Sequence, residues 1–272
     1  MQKIYDFSDP VRGVESRHGF LVYNKHCHYV GKALELYGEY CQHEIELFER
    51  IINPTDVVWE VGANTGSQSV ALARQVPGGS YVGFEPQHEL FKLLVTNLAL
   101  NNCENAYPYN FALGAQSGLI DIPRIDYHSP NNFGGVSLLG TSDAGKVKVE
   151  IRSIDALDWL PRPNFIKIDV EGMETSVLEG GTQTISEMAP TLYIENDRVD
   201  RSPGLIATLW GLGYELYWHI SSYYNENNLF GNRHNIYVGQ HSFNMLCFPA
   251  KKNITVNGLT KITDQDAHPL KR

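Results

Sequence analysis

The chain has little that would mark a redox, metal-binding or membrane-spanning protein. Its four cysteines, Cys27, Cys41, Cys103 and Cys247, are scattered and form no CxxC pair. That removes a zinc site or a disulfide framework as an organising feature, and suits reduced thiols in a cytoplasmic enzyme. No stretch approaches the roughly 18 apolar residues that a membrane-spanning helix needs. The opening MQKIYDFSDP lacks the charged, apolar and small-residue succession of a signal peptide. No internal repeat or low-complexity block occurs. Basic residues are outnumbered, 22 Lys and Arg against 31 Asp and Glu, for a formal net charge of −9. A general nucleic-acid binder would carry the opposite sign, so only a local basic patch stays open. The GxGxxG spacing of a dinucleotide fingerprint is also missing.

What is present is an ordinary globular composition, 42% apolar and 19% charged over 272 residues. After a mixed stretch rich in aromatic and histidine residues, apolar positions predict a helix from about Tyr40 to Ile52. Asn53-Pro54 ends it. Strand and helix then alternate: Asp56–Val61, Ser67–Gln75, Tyr81–Phe84, a helix to about Asn101, and Tyr107–Leu113. Phe165–Val170 is followed by a helix over Glu174–Glu187. Thr191–Glu195, a helix near Leu205–Leu212, and late strands Tyr214–His219 and Asn235–Val238 complete the series. Such alternation predicts an α/β fold with a doubly wound, mostly parallel sheet. Ligands bind such sheets at the carboxyl ends of the strands. Residues 114–152 interrupt the pattern and read as strands around an irregular loop near Ser129–Gly135. A long loop beside a crevice is a candidate acceptor element, through Asn131, Asn132, Gly134 and Gly135.

The stretch WEVGANTG, Trp59–Gly66, ends the first strand of this series. Gly62 and Gly66 make a wider turn than a dinucleotide site uses. Glu60 adds negative charge, which opposes a pyrophosphate and suits a ligand with positive groups. S-adenosylmethionine (SAM) carries an ammonium and a sulfonium and no phosphate. Glu85 closes the next strand, where a carboxylate accepts hydrogen bonds from ribose hydroxyls.

VVWEVGANTGSQSVALA, VGFEPQHELFKLLVTNLALNN, YNFALG and FIKIDVEGMETSVLEGG together resemble the FkbM family of class I SAM-dependent methyltransferases. SFNMLCFP is similar to that family's closing strand. The resemblance covers about Tyr40 to Pro249, and IDVEGMETSVLEGG is its most specific block. It implies a seven-stranded SAM-methyltransferase fold whose last strand is antiparallel. Around that core the expected division is an N-terminal cap (residues 1–44), a methyltransferase domain (45–250) and a C-terminal tail (251–272). The resemblance further bears on the cofactor site. It implies SAM contacts at Tyr40, Glu60, Gly62, Ala63, Asn64, Gly66, Ser69 and Asp169, with Glu85 on the ribose and Asn110 and Ala112 beside the adenine. Trp59 and Glu60 stand where a smaller aliphatic residue and Asp are more usual. The family mostly methylates oxygen on small metabolites, so the expected function is methyl transfer to a hydroxyl of a small molecule or glycan, a sugar first. The rivals are an NAD(P)-dependent oxidoreductase and a non-catalytic binding protein.

An alcohol is a poor nucleophile, so O-methylation benefits from a general base or a metal. Asp169 ends the fourth strand, and Glu195 and Asn196 end the fifth. These are the candidate bases (Asp169, Glu195) and the candidate magnesium ligands (Asp169, Glu195, Asn196). The set resembles metal-dependent catechol and sugar O-methyltransferases. However, Glu195 is longer than their usual Asp, and Gly172 stands where catechol enzymes keep a lysine. His219 is the first choice among the histidines, ahead of His88, His128 and His234. Trp218, Tyr223, Tyr224 and Phe230 flank it as a possible stacking surface. Glu171 reads as a helix-start carboxylate favoured by the dipole, and Glu174 as a helix-surface residue. The sequence leaves the acceptor and the oligomeric state open, a homodimer included.

Overall fold

A computed structural model describes residues 3–136 and 145–271. The chain begins with an antiparallel three-stranded sheet of β1 (Ile4–Asp6), β2 (Val11–Ser16) and β3 (Gly19–Asn24). Two helices follow, α1 (Val30–Tyr37) and α2 (Gln42–Ile51). Next come β4 (Val57–Val61), α3 (Ser69–Gln75), β5 (Ser80–Phe84), α4 (His88–Leu100) and β6 (Ala106–Tyr109). A second small sheet contains β7 (Ala112–Leu113), β8 (Gly118–Pro123) and β9 (Lys146–Arg152). The main sheet resumes with β10 (Phe165–Ile168), followed by α5 (Glu174–Glu179), α6 (Thr182–Met188), β11 (Thr191–Glu195) and α7 (Ser202–Gly211). It ends with β12 (Tyr214–Ser222), β13 (His241–Pro249) and β14 (Thr260–Lys261).

The main sheet runs β14-β12-β13-β11-β10-β4-β5-β6. Seven of these strands make the expected α/β sheet, with β13 antiparallel to both its neighbours, β11 and β12. The eighth, β14, comes from the segment expected as a tail and pairs with the edge of β12. Strand order reverses between β4 and β10, which both descend into the middle of the sheet. The crevice at their carboxyl ends is where a doubly wound sheet accepts a ligand.

Central strands buried on both faces read as apolar runs, and each face has its own core. One contains Val58, Tyr81, Phe165, Tyr193 and Phe48 from α2. The other contains Trp59, Ile166, Ile168, Leu192 and the inner side of α7. Trp59, the bulky residue in the first motif, is fully buried against Phe84, with its indole N–H donating to Pro161 O at 3.0 Å. The N-terminal sheet docks on α4 through a polar clasp: Val22 N–H donates to Asn97 Oδ1 and Asn97 Nδ2 donates to Val22 O, at 2.7 and 2.9 Å.

Three expected elements differ. The strand over Tyr107–Leu113 is split because Asn110 turns aside, its Nδ2 donating to the carbonyls of Glu85 and Pro86. The helix over Glu174–Glu187 breaks at Gly180-Gly181, a pair of poor helix formers. Asn235–Val238 is a loop. Asn235 Oδ1 accepts from Tyr237 N–H at 2.7 Å, while Tyr37 Oη donates to His234 O and accepts from Ile236 N–H. Backbone groups that a strand would pair are thus satisfied by side chains. Of the interrupting segment, residues 137–144 lie outside the described residues. Among those described, no helix is long and apolar enough to cross a membrane.

Candidate active site

A cavity of about 530 Å³ opens at the carboxyl ends of β4, β5, β10 and β11. Its size lies within the range of small-molecule sites. The structure brings Tyr40, Glu60, Gly62, Ala63, Asn64, Glu85, Asp169 and Glu195 together in its walls. Gly66, Ser69, Asn110, Ala112, Asn196 and His219 are not among the lining residues.

The turn after β4 is shaped by packing. Gly62 has φ +89°, and a Cβ there would stand 1.9 Å from the carbonyl oxygen of Asp169. Gly62 therefore lets the turn lie against the end of β10. Asn64, also at positive φ, points its N–H at Glu85 Oε2 at 2.8 Å, and Gln87 N–H donates to Glu85 Oε1 at 2.8 Å. Two backbone donors thus fix the Glu85 carboxylate, which is only 4% exposed. Burial still dominates and raises its pKa to about 7.

Glu60 is 1% exposed, and its Oε2 accepts from Ser69 Oγ at 2.5 Å and Tyr81 Oη at 2.6 Å. Ser69 therefore holds Glu60 from behind, outside the cavity. The cation nearest Glu60 is one the sequence reading passed over. Lys167, 2% exposed, lies 4.0 Å from Glu60 and 2.9 Å from Asp169 Oδ2. Lys167 and Asp169 share one face of β10, and Lys167 pairs in register with Glu60 on β4. A lysine inside FIKIDV was the available signal, since a charge in a fully buried parallel strand needs a partner. Glu44, 3% exposed, joins from α2; it accepts from Gln68 Nε2 and Asn244 Nδ2, both at 3.0 Å.

Asp169, Glu171 and Glu195 gather at the other end of the cavity, with carboxylate oxygens within 4.8 Å of one another. Glu171 adopts φ 55° and faces this cluster instead of capping α5. Its Oε2 accepts from Arg198 Nη2 at 2.8 Å. Burial and the charge of Asp169 push its pKa up to about 8. Glu195 is pushed well above the usual carboxylate range, again by burial first and by Asp169 second. Its Oε2 is buried without a hydrogen-bond partner. Glu174 is buried, not on the helix surface, and accepts from Gly172 N–H at 2.8 Å.

The expected magnesium ligands do not assemble. Asn196 is 3% exposed and its Nδ2 is engaged by Ser202 Oγ and Met245 Sδ. Glu171 takes its place beside Asp169 and Glu195. Two of these three carboxylates already hold a side-chain cation, Lys167 on Asp169 and Arg198 on Glu171. The group therefore fits a dication poorly.

His219 contacts Tyr193 Oη through Nδ1 at 2.7 Å, and burial lowers its pKa to about 4. His88 contacts Asn110, His128 contacts Asp9, and His234 sits in a loop; none lines the cavity. Asn131 forms an isolated bridge with Cys27, whereas Asn132, Gly134 and Gly135 do line the cavity. Tyr29, Tyr40, Tyr223 and Phe243 supply the aromatic lining, with Tyr40 and Tyr223 stacked at a ring-centroid distance of 6.0 Å. Trp218, Tyr224 and Phe230 pack elsewhere. Glu39 steadies the loop carrying Tyr223, accepting from Asn225 Nδ2 at 2.7 Å and Leu229 N–H at 3.0 Å.

The model of the methyltransferase FkbM domain matches residues 60–216, more than half of the chain. Hexuronic acid methyltransferase AglP of Haloferax volcanii is 29% identical over 162 residues, covering 58% of this chain. The match spans 63% of that relative's length. Among solved structures, the methyltransferase FkbM of Methylobacillus flagellatus is 18% identical with a TM-score of 0.44, over 72% of this chain and 44% of that one. A SAM-dependent O-methyltransferase of Thermotoga maritima is 12% identical with a TM-score of 0.47, over 76% and 64%. Both structural likenesses are loose.

Proposed function

The chain belongs to the FkbM methyltransferase family, and from that premise we propose that it transfers the methyl group of SAM to a hydroxyl of a small molecule or glycan, with a sugar as the leading acceptor. The observation that carries this reading is Glu85, pinned by two backbone N–H groups beside the Gly62–Asn64 turn in the same cavity as Asp169 and Glu195. The name of the Haloferax volcanii relative supports a sugar acceptor. The residues fit SAM. Glu85 offers a carboxylate to ribose hydroxyls, and the cavity is lined by seven acidic residues and two basic ones, which suits a cationic ligand. Tyr40, from the segment before α2, closes that end as part of an N-terminal cap. Four free cysteines support a reducing, cytoplasmic setting.

SAM supplies a methyl group already activated by its sulfonium, so the protein's task is to orient the acceptor, exclude water and receive a proton. The hydroxyl oxygen bonds to the methyl carbon, the carbon–sulfur pair leaves with sulfur, and the hydroxyl proton must go to a base. Glu195 is that base. Its Oε2 has no hydrogen-bond partner in the protein, and burial beside Asp169 raises its affinity for a proton. Asp169, 2.9 Å from Lys167, serves as an electrostatic partner. Asp197 and Arg198 complete this end of the wall.

Isotope-labelled SAM incubated with a panel of glycosides tests the reading. Label should appear on a sugar oxygen, and Glu195→Gln should lower kcat by about 10²–10⁴-fold with S-adenosylhomocysteine affinity retained. Thermal stabilisation by NAD with none from SAM would sink it.

A further inference from the structure

Resting on that methyl-transfer reading, we infer that the acceptor is an uncharged sugar held through its hydroxyls by Glu195 and Arg198, and that Glu171 is the residue that keeps uronates out. Two buried side-chain atoms of this cavity have no hydrogen-bond partner, Glu195 Oε2 and Arg198 Nε. One needs a donor and the other an acceptor. Sugar hydroxyls supply both, whereas a carboxylate only accepts. A uronate that turned its carboxylate to these atoms could serve Arg198 and would give an ionised Glu195 only a second acceptor.

Charge points the same way. Arg198 is not free to neutralise an incoming anion, because Nη2 is on Glu171 at 2.8 Å and Nε lies 3.9 Å from Asp197. Lys167, the other lining cation, is engaged by Asp169. Gly172 leaves room for this arrangement: a Cβ there would stand 2.5 Å from Arg201 Nη1 and 2.9 Å from Arg198 Nε. A uronate would thus add negative charge beside Asp169, Glu171 and Glu195, where the raised pKa values of the last two already register the cost of crowding carboxylates within 4.8 Å. The rings of Tyr29, Tyr40 and Tyr223 offer apolar faces to the C–H side of an uncharged sugar. The inference departs from the substrate for which the Haloferax volcanii relative is named.

The test uses the full chain saturated with S-adenosylhomocysteine, whose own binding is measured first. Matched methyl glycosides of glucose and glucuronate, galactose and galacturonate, and mannose and mannuronate are then titrated by ligand-observed NMR. The neutral member of at least one pair should bind about ten-fold more tightly than its uronate. Glu171→Gln frees Arg198 and should shrink that ratio several-fold by strengthening the uronate. Asp197→Asn, which leaves the Glu171–Arg198 pair intact, should shrink it less. Uronates that bind as tightly as their neutral partners in every pair overturn the inference. So does a ratio that neither variant moves, or no neutral glycoside binding up to the solubility limit. If S-adenosylhomocysteine itself does not bind, the methyl-transfer reading falls first; uronate preference with that ligand bound removes the inference alone.

Discussion

At the glycine-turn end of the cavity the carboxylates have their partners within the protein; at the far end two charged groups each keep an atom without one. Glu85 takes two backbone N–H donors, Glu60 takes two hydroxyls, and Glu44 takes two side-chain amides. Glu195 and Arg198 each keep a buried polar atom unmatched, beside carboxylates crowded within 4.8 Å. A finished hydrogen-bond shell preorganises a site for a constant ligand. An unfinished shell stores the specificity for a variable one, because the ligand completes it. The comparison therefore assigns the first end to the cofactor and the second to the acceptor.

Lys167 joins the two ends, so removing it should do the most damage. Lys167→Met leaves Glu60, Glu44 and Asp169 without their shared cation. Urea unfolding should show a loss of about 3 kcal/mol, the low end for a broken buried pair because Asp169 is partly exposed. Stability equal to the wild type would mean that the ammonium contributes nothing to either end. A smaller effect concerns pH. Burial raises Glu85 to about 7, so the folded protein holds that proton after the unfolded chain has released it. Its contribution to stability is full below the ordinary carboxylate pKa and declines as pH rises through about 7. Ribose hydroxyls prefer the ionised form, so S-adenosylhomocysteine affinity should rise between about pH 6 and 8. A flat calorimetric profile over that interval would separate Glu85 from the ligand. The smallest effect is expected at His219, which serves Tyr193 outside both ends. His219→Phe should keep methyl transfer within about three-fold, whereas a loss on the scale of general-base removal, about 100-fold, would return His219 to the chemistry.

The same contrast explains what the sequence disclosed. The alternation of strands and helices, the turn at Gly62 and the acid at Glu85 are local patterns, and they predicted the sheet and its binding end. Glu171 was misread because a carboxylate just before a helix ordinarily serves the helix dipole; its left-handed backbone, which turns it toward Arg198, leaves no local trace. Asn196 follows Glu195 in sequence but belongs to the opposite face of the strand end, a consequence of the period-two alternation of side chains. Tyr29, Glu44 and Arg198 are supplied by three distant segments, and only the folded topology makes them neighbours. Tyr37 satisfies the backbone of residues 234–236 from nearly two hundred positions away, which is why an apparent strand is a loop.

Calorimetric titration of S-adenosylhomocysteine into the wild type and Glu85→Ala bears most directly on the central claim. The account predicts one site per chain, weakened by about 10–100-fold in the variant, the scale of hydrogen bonds to a charged group. Equal affinity in the two proteins, or binding of NAD in place of S-adenosylhomocysteine, would contradict it.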